Sequence, residues 1–217
     1  MLSLRICIQM RLRLLKCAGI YGTVKFALSS RKQAVNPIVY AKSNEPDQLS
    51  VFDLTTTRLE ADCLFDQYEI GRLYSKLQEF KDMAEVEIQW RRARALREYA
   101  KIEGKNKKTK ESLIREALSA AKYALELDSN HWAAHKWYGI MLGDVSELEG
   151  TQQLLESSPQ IKHHFEQSIN LHHDPTTIYC LGVWHFRFTE LPWYKRKAAS
   201  IYFGVDVPIS TYNDALG

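Results

Sequence analysis

The sequence lacks the signatures by which a reaction centre announces itself. GxSxG, a Walker phosphate loop, GxGxxG and HExxH are all missing, which removes the common hydrolase, nucleotide, dinucleotide and zinc-peptidase readings. Cysteine is sparse: Cys7, Cys17, Cys63 and Cys180 form no CxxC pair and no regular framework. That excludes zinc ribbons and thioredoxin-type exchange and reads as reduced thiols in an intracellular protein. Seven histidines are present, yet spacing places no third ligand beside any two of them. His131 and His135 stand four apart without the glutamate of a zinc motif, and His163-His164 and His172-His173 are adjacent pairs that diverge on a helix. They read as partly exposed surface histidines. Carboxylate pairs such as Glu85/Glu87 read as solvated charge. The chain is expected to be non-enzymatic, with no cofactor, no metal and no catalytic residue.

Acid is also missing, but only locally. Residues 1–44 hold eight basic side chains and no carboxylate; Glu45 is the first. The remainder then carries 21 basic against 26 acidic residues, near −5, although the whole chain is +3. The basic character therefore belongs to an arm, and an argument for nucleic-acid binding from total charge fails. Within the arm, Leu4, Ile8, Leu12 and Leu15 share a helical side flanked by Arg5, Arg13 and Lys16. Acid-free, arginine-bearing and amphipathic is the pattern of a mitochondrial presequence; a basic helix lying on a membrane surface and an unstructured arm fit as well. Charges interrupt every apolar run well short of ~20 residues, so a spanning helix is disfavoured. The expected organisation is a basic arm over 1–44, a linker over 45–54, and a helical domain over 55–217.

From residue 55 helical periodicity dominates. LEADCLFDQYEIGRLYSKLQEF reads as a helix, a short break and a second helix. AEVEIQWRRARALREYAKIE places Val86, Trp90, Ala93 and Ala100 on one stripe. After the basic loop GKNKKTK, Thr109 is expected to cap a helix with Glu111 in its first turn. Leu113, Ala117, Ala120 and Ala124 give that helix a small-residue face for close packing. KYALELDSNHWAAHKWYGIML is echoed by FEQSINLHHDPTTIYCLGVWHF, Leu127 matching Leu171 and Gly139 matching Gly182. Asp174 and Pro175 form an N-cap and first-position pair. A helix, a turn and an aromatic-led helix with a glycine resembles a tetratricopeptide unit, at spacings longer than that repeat's. The fold class is all-α: stacked antiparallel helix pairs, tetratricopeptide-like, forming an α-solenoid.

LPWYKRKAASIYFG, residues 191–204, interleaves aromatics with cations. A helix from Pro192 to a stop at Gly204 puts Tyr194, Ala198, Ile201 and Tyr202 on one face. These aromatics read as packing side chains, with Arg196 and Lys197 near the centre of the exposed side. Base stacking needs aromatics and cations on one surface, so no nucleic-acid partner is expected. Lys136 and Arg187 are further cations that spacing alone does not bring to this region.

AAHKWYGIMLGDVSELEGT, KHHFEQSINL with DPTTIYCLGVW, LPWYKRKAASIYFG and STYNDAL together resemble the regulator of microtubule dynamics family, in that order, over roughly residues 55–217. The resemblance implies an all-helical, tetratricopeptide-like scaffold that associates with microtubules or tubulin and the mitotic spindle, resident in the cytoplasm and cytoskeleton. Some members are linked to mitochondria, which fits the basic arm. Tubulin tails are acidic, so Lys195, Arg196, Lys197 and Lys105, Lys107, Lys108 and Lys110 of the loop are the expected partner contacts. An alternative is a mitochondria-associated lipid-binding or membrane-contact tethering module, which needs an apolar channel between helices. Members continue beyond STYxxAL, so the domain is expected to be cut short at Gly217, with apolar surface exposed near Ile201 and Tyr202. Pro159 is expected to break the helix around it.

Overall fold

The structure, a computed structural model, describes residues 47–103 and 106–216, which lie within one compact unit, Pro46–Gly217. The arm over 1–44 lies outside the described residues. Among the described residues there are nine helices and no strand: α1 (Asp47–Asp66), α2 (Ile70–Gln78), α3 (Val86–Glu103), α4 (Lys107–Leu127), α5 (Trp132–Glu149), α6 (Thr151–Leu171), α7 (Pro175–Thr189), α8 (Trp193–Phe203) and α9 (Tyr212–Leu216). The all-α expectation is met.

Short connections force neighbouring helices to run antiparallel, and α3–α4, α4–α5 and α5–α6 pack in that way. Gly150 joins α5 to α6 alone, at a φ of 112° that an L side chain rarely adopts. The turn after α1 is made by Tyr68 at φ 60°. Its N–H bonds Phe65 O at 3.0 Å, and Glu69 N–H bonds Leu64 O at 2.9 Å, the paired bonds of a Schellman stop usually built on glycine.

Three apolar clusters follow one another along the stack. Ala61, Leu64, Ile70, Leu73, Leu77, Ile88 and Ala95 join α1, α2 and α3. Trp90, Ala93 and Ala100 meet Leu113, Ala117, Ala120 and Ala124 of α4 and Ala133, Trp137 and Met141 of α5. Leu155, Ile161, Phe165, Trp184, Phe188 and Ala199 close the C-terminal end. Tyr99 touches the first two clusters and Ile140 the last two, so the core is handed on from pair to pair. Each fully buried Leu or Ile contributes about 1.5–3 kcal/mol relative to exposure. The small-residue face of α4 is buried as its spacing predicts, and alanines let α3 and α5 approach it closely.

Several local expectations are corrected. α1 starts at Asp47, inside the stretch read as linker; proline followed by an acidic residue is a helix-starting pair. α4 is capped by Asn106, whose side chain accepts from Lys108 N–H at 2.9 Å, not by Thr109, and it has no acid in its first turn. Pro159 sits inside α6, which runs unbroken. A proline there leaves the carbonyl four residues back without its N–H, and that carbonyl, Leu155 O, instead accepts the buried Ser158 hydroxyl at 2.8 Å. The helix continues because a neighbour replaces the missing donor.

Candidate partner-binding surface

Ion pairs at the helix ends fix which connections share an edge of the stack. Arg115, midway along α4, pairs with Glu149 at the end of α5 at 2.6 Å. Arg187, near the end of α7, pairs with Glu147 on α5 at 2.6 Å. The ends of α3, α5 and α7 and the starts of α4 and α6 thus lie on one edge. On that side stand the basic first turn of α4 and, after α7, helix α8.

The two glycines matched in sequence show how α8 comes to be there. A Cβ on Gly139 of α5 would lie 2.8 Å from the Phe165 ring of α6. A Cβ on Gly182 of α7 would lie 3.0 Å from Ala215 O of α9. α9 therefore stands against α7 as α6 stands against α5, and α7 and α9 pack together. Helix α8 and residues 204–211 are inserted between the two members of a pair.

Arg196 holds that insertion. Its guanidinium donates to Leu191 O at 3.0 Å, to Pro208 O at 2.6 Å and to Phe188 O. The returning segment is fixed by Val205 and Val207 on the last cluster and by Ser210 Oγ, 2.7 Å from His185 Nδ1. Arg196 is thereby corrected from an exposed contact to a structural tie: α8 packs through Arg196 and Ala199, the latter its one buried residue. The face read as packing points the other way, with Trp193 74%, Ile201 70% and Tyr202 83% exposed and Tyr194 exposed beside them. An interhelix role for these aromatics is overturned, because the insertion has no helix beyond it among the described residues to receive them. Exposure near Ile201 and Tyr202 is as expected.

Lys195 and Lys197 are exposed, and neither forms an ion pair among the described residues. Lys108 and Lys110 are likewise unpaired, whereas Lys107 lies 3.7 Å from Glu111. Lys105 lies outside the described residues. Lys136, expected as a further surface cation, is instead buried beside Asp174 at 3.2 Å.

Sequence reasoning missed a polar seam on α3. Arg91 pairs with Asp62 at 2.6 Å and with Glu87; Arg94 also reaches Asp62, at 2.7 Å. Arg97 grips Asp144 of α5 with two bonds, at 2.5 and 3.2 Å. The three arginines recur every three residues, the one available hint. Burial raises the Asp62 carboxyl, but its bonds to Arg91 and Arg94 outweigh that and leave it below its usual value. His131 caps α5, its Nδ1 accepting from Ala134 N–H, so Nε2 donates to Glu87 at 3.0 Å. That bond leads in holding the Glu87 carboxyl at about 2, despite burial and with help from Arg91. Glu87 is thus not solvated charge. Nor are all histidines surface groups: His135 and His185 are buried. Burial also pushes the Cys180 thiol up to about 11, leaving it protonated at neutral pH and a poor nucleophile. A cleft of about 360 Å³ between α1 and α2 is lined by Glu60, Leu64, Gly71, Arg72, Ser75, Lys76 and Glu79, a charged lining unsuited to acyl chains.

The family profile described as "Regulator of microtubule dynamics protein 1-3" matches residues 58–217. Regulator of microtubule dynamics protein 1 of Bos taurus is 40% identical over 77% of this chain and 53% of its own length. The Homo sapiens protein of that name is 43% identical over 59% of this chain and 41% of its length. Regulator of microtubule dynamics protein 3 of Xenopus laevis is 32% identical over 60% and 28%. The chain spans about half the length of the curated relatives it matches, or less. With the family profile covering nearly all of the helical stack, the chain belongs to the regulator of microtubule dynamics protein 1-3 family.

Proposed function

We propose that this chain is a non-enzymatic interaction protein: a tetratricopeptide-like helical scaffold that associates with microtubules or tubulin, including those of the mitotic spindle. The relatives' names support a role in microtubule dynamics. One structural observation carries the contact surface. Two basic segments distant in sequence, the first turn of α4 and helix α8, lie toward the same side of the stack, and Lys108, Lys110, Lys195 and Lys197 form no ion pair among the described residues. In a body near −5, such an edge steers an acidic polymer to one place. Lys107 extends the same surface, Lys105 belongs to the proposal by sequence alone, and Arg196 serves it by holding α8. The domain limits, an arm over 1–44 followed by a scaffold that opens with α1, belong to this proposal, and the arm is assigned a mitochondrial targeting role.

Cosedimentation of the full chain with microtubules across a salt series tests the contact. Binding is expected to weaken with salt, and the quadruple reversal K108E/K110E/K195E/K197E is expected to abolish it. Retained binding with an unchanged salt slope removes this edge as the contact; no binding at low salt refutes the function. Imaging the chain with and without residues 1–44 tests the arm, since loss of mitochondrial signal on deletion is required.

A further inference from the structure

Helix α8 carries a second kind of surface that an acidic polymer does not use. Among the described residues, eight of the fifteen exposed large hydrophobics fall between Trp193 and Leu216. They are not scattered. On α8, Arg196 and Ala199 mark the packed side, and Tyr194, Ala198 and Ile201 follow one another at steps of four and three on the opposite side. Trp193 and Tyr202 stand at its two borders. Lys195 and Lys197 sit one on each flank, free of acidic partners, and α8 contains no acid. Ile209, 89% exposed, adds to the apolar surface just beyond the helix.

We propose that α8 is a membrane-surface docking helix that lays its outward face into the interface of an anionic bilayer. Three features favour lipid over the alternatives. Tryptophan, tyrosine and lysine together are the side chains enriched at the membrane interface, whereas lysine is depleted at the core of protein interfaces. The insertion stands outside the regular pairing of the stack, so a helix face can reach a plane without the body following. The charges are complementary: the two lysines attract anionic headgroups, while the acidic remainder of the body keeps the other faces away. A polyacidic tail satisfies the lysines but leaves Tyr194, Ile201 and Tyr202 in water. The inference goes beyond the microtubule reading and shares only Lys195 and Lys197 with it.

The test uses the full chain and vesicles of phosphatidylcholine with and without phosphatidylserine. Of the five tryptophans, Trp90, Trp137 and Trp184 are buried and Trp132 is partly buried, so Trp193 is the water-exposed reporter. Anionic vesicles are expected to shift its emission to the blue and to expose it to quenching by nitroxide-labelled lipid, both lost in Trp193→Phe. The variant Y194S/I201S/Y202S removes outward groups only and is expected to weaken this vesicle-dependent Trp193 signal about tenfold or more. It should retain a native circular-dichroism spectrum and microtubule cosedimentation. K195E/K197E is expected to reduce both vesicle and microtubule binding. Vesicle association without a change at Trp193 assigns binding to residues 1–44 and overturns the proposal. So does a normal signal in the triple variant, or loss of a protein partner by that variant when the parent shows no vesicle binding.

Discussion

Ser158 and Pro159 make a pair whose coupling can be measured directly. Pro159 has no N–H for Leu155 O, and the buried Ser158 hydroxyl donates to that carbonyl at 2.8 Å. Ser158→Ala leaves a buried acceptor without a partner, an expected loss of about 1–3 kcal/mol. Pro159→Ala restores the backbone donor and relieves the ring's clash with the preceding turn, a gain of up to about 3 kcal/mol; Pro159 itself is exposed, so little packing is lost. In the Pro159→Ala background the hydroxyl is no longer needed, and Ser158→Ala should cost within about 0.5 kcal/mol of nothing. Any packing lost with the serine is common to both backgrounds and cancels. Urea unfolding of the four proteins, followed by helical circular dichroism, gives the coupling as a shift of midpoints at constant slope. A serine substitution that costs the same with and without the proline would refute the assignment of the hydroxyl as the substitute donor.

Other positions give independent checks. Tyr68→Gly, at φ 60°, is expected to stabilise by about 1 kcal/mol, read as a higher melting temperature. Gly139→Ala drives a Cβ into the Phe165 ring and is expected to cost about 1–3 kcal/mol globally. Gly182→Ala meets Ala215 O instead, so loss of hydrogen-exchange protection confined to α9 is expected there. Arg196→Ala removes three bonds to carbonyls, so amides of 193–203 should exchange faster while those of α3 and α4 do not change. Two groups in particular make stability acid-sensitive, His164 and Glu87. His135 Nε2 donates to Ser129 O at 2.9 Å, so its Nδ1 accepts from His164 Nδ1 at 2.8 Å and both rings are neutral. Burial leads in holding His164 at about 4, below its usual 6.5; the unfolded chain takes the proton first, and stability falls as pH drops from 6.5 to 4. Glu87 is favoured as the carboxylate, so its contribution is lost from pH 4.5 down to about 2. Unfolding midpoints against pH should decline in both windows, with His164→Gln flattening the upper and Glu87→Gln the lower.

Local chemistry in the chain determined the helices and many of their ends. Periodicity marks the buried stripes of α3 and α4, and Asp174-Pro175 starts α7 because a side-chain acceptor at 2.9 Å from Thr177 N–H and a fixed φ act within one turn. The matched glycines announce a repeated close approach. What approaches them only the tertiary structure decided: α9, distant by some thirty residues, takes the partner's place beside α7 and leaves α8 outside the pair. That choice reverses which face of α8 meets water, since an amphipathic pattern states that two faces differ and not which one finds a neighbour. Arg196 makes the same point, a surface cation by composition and a clamp on three carbonyls by position. Pro159 stays helical because Ser158, its neighbour in sequence, is turned by burial toward the orphaned carbonyl. The seam on α3 depends on Asp62 of α1 and on Asp144 and the N-cap His131 of α5 converging on it, a meeting that long-range packing alone creates, whereas Glu87 lies one turn from Arg91 on α3 itself.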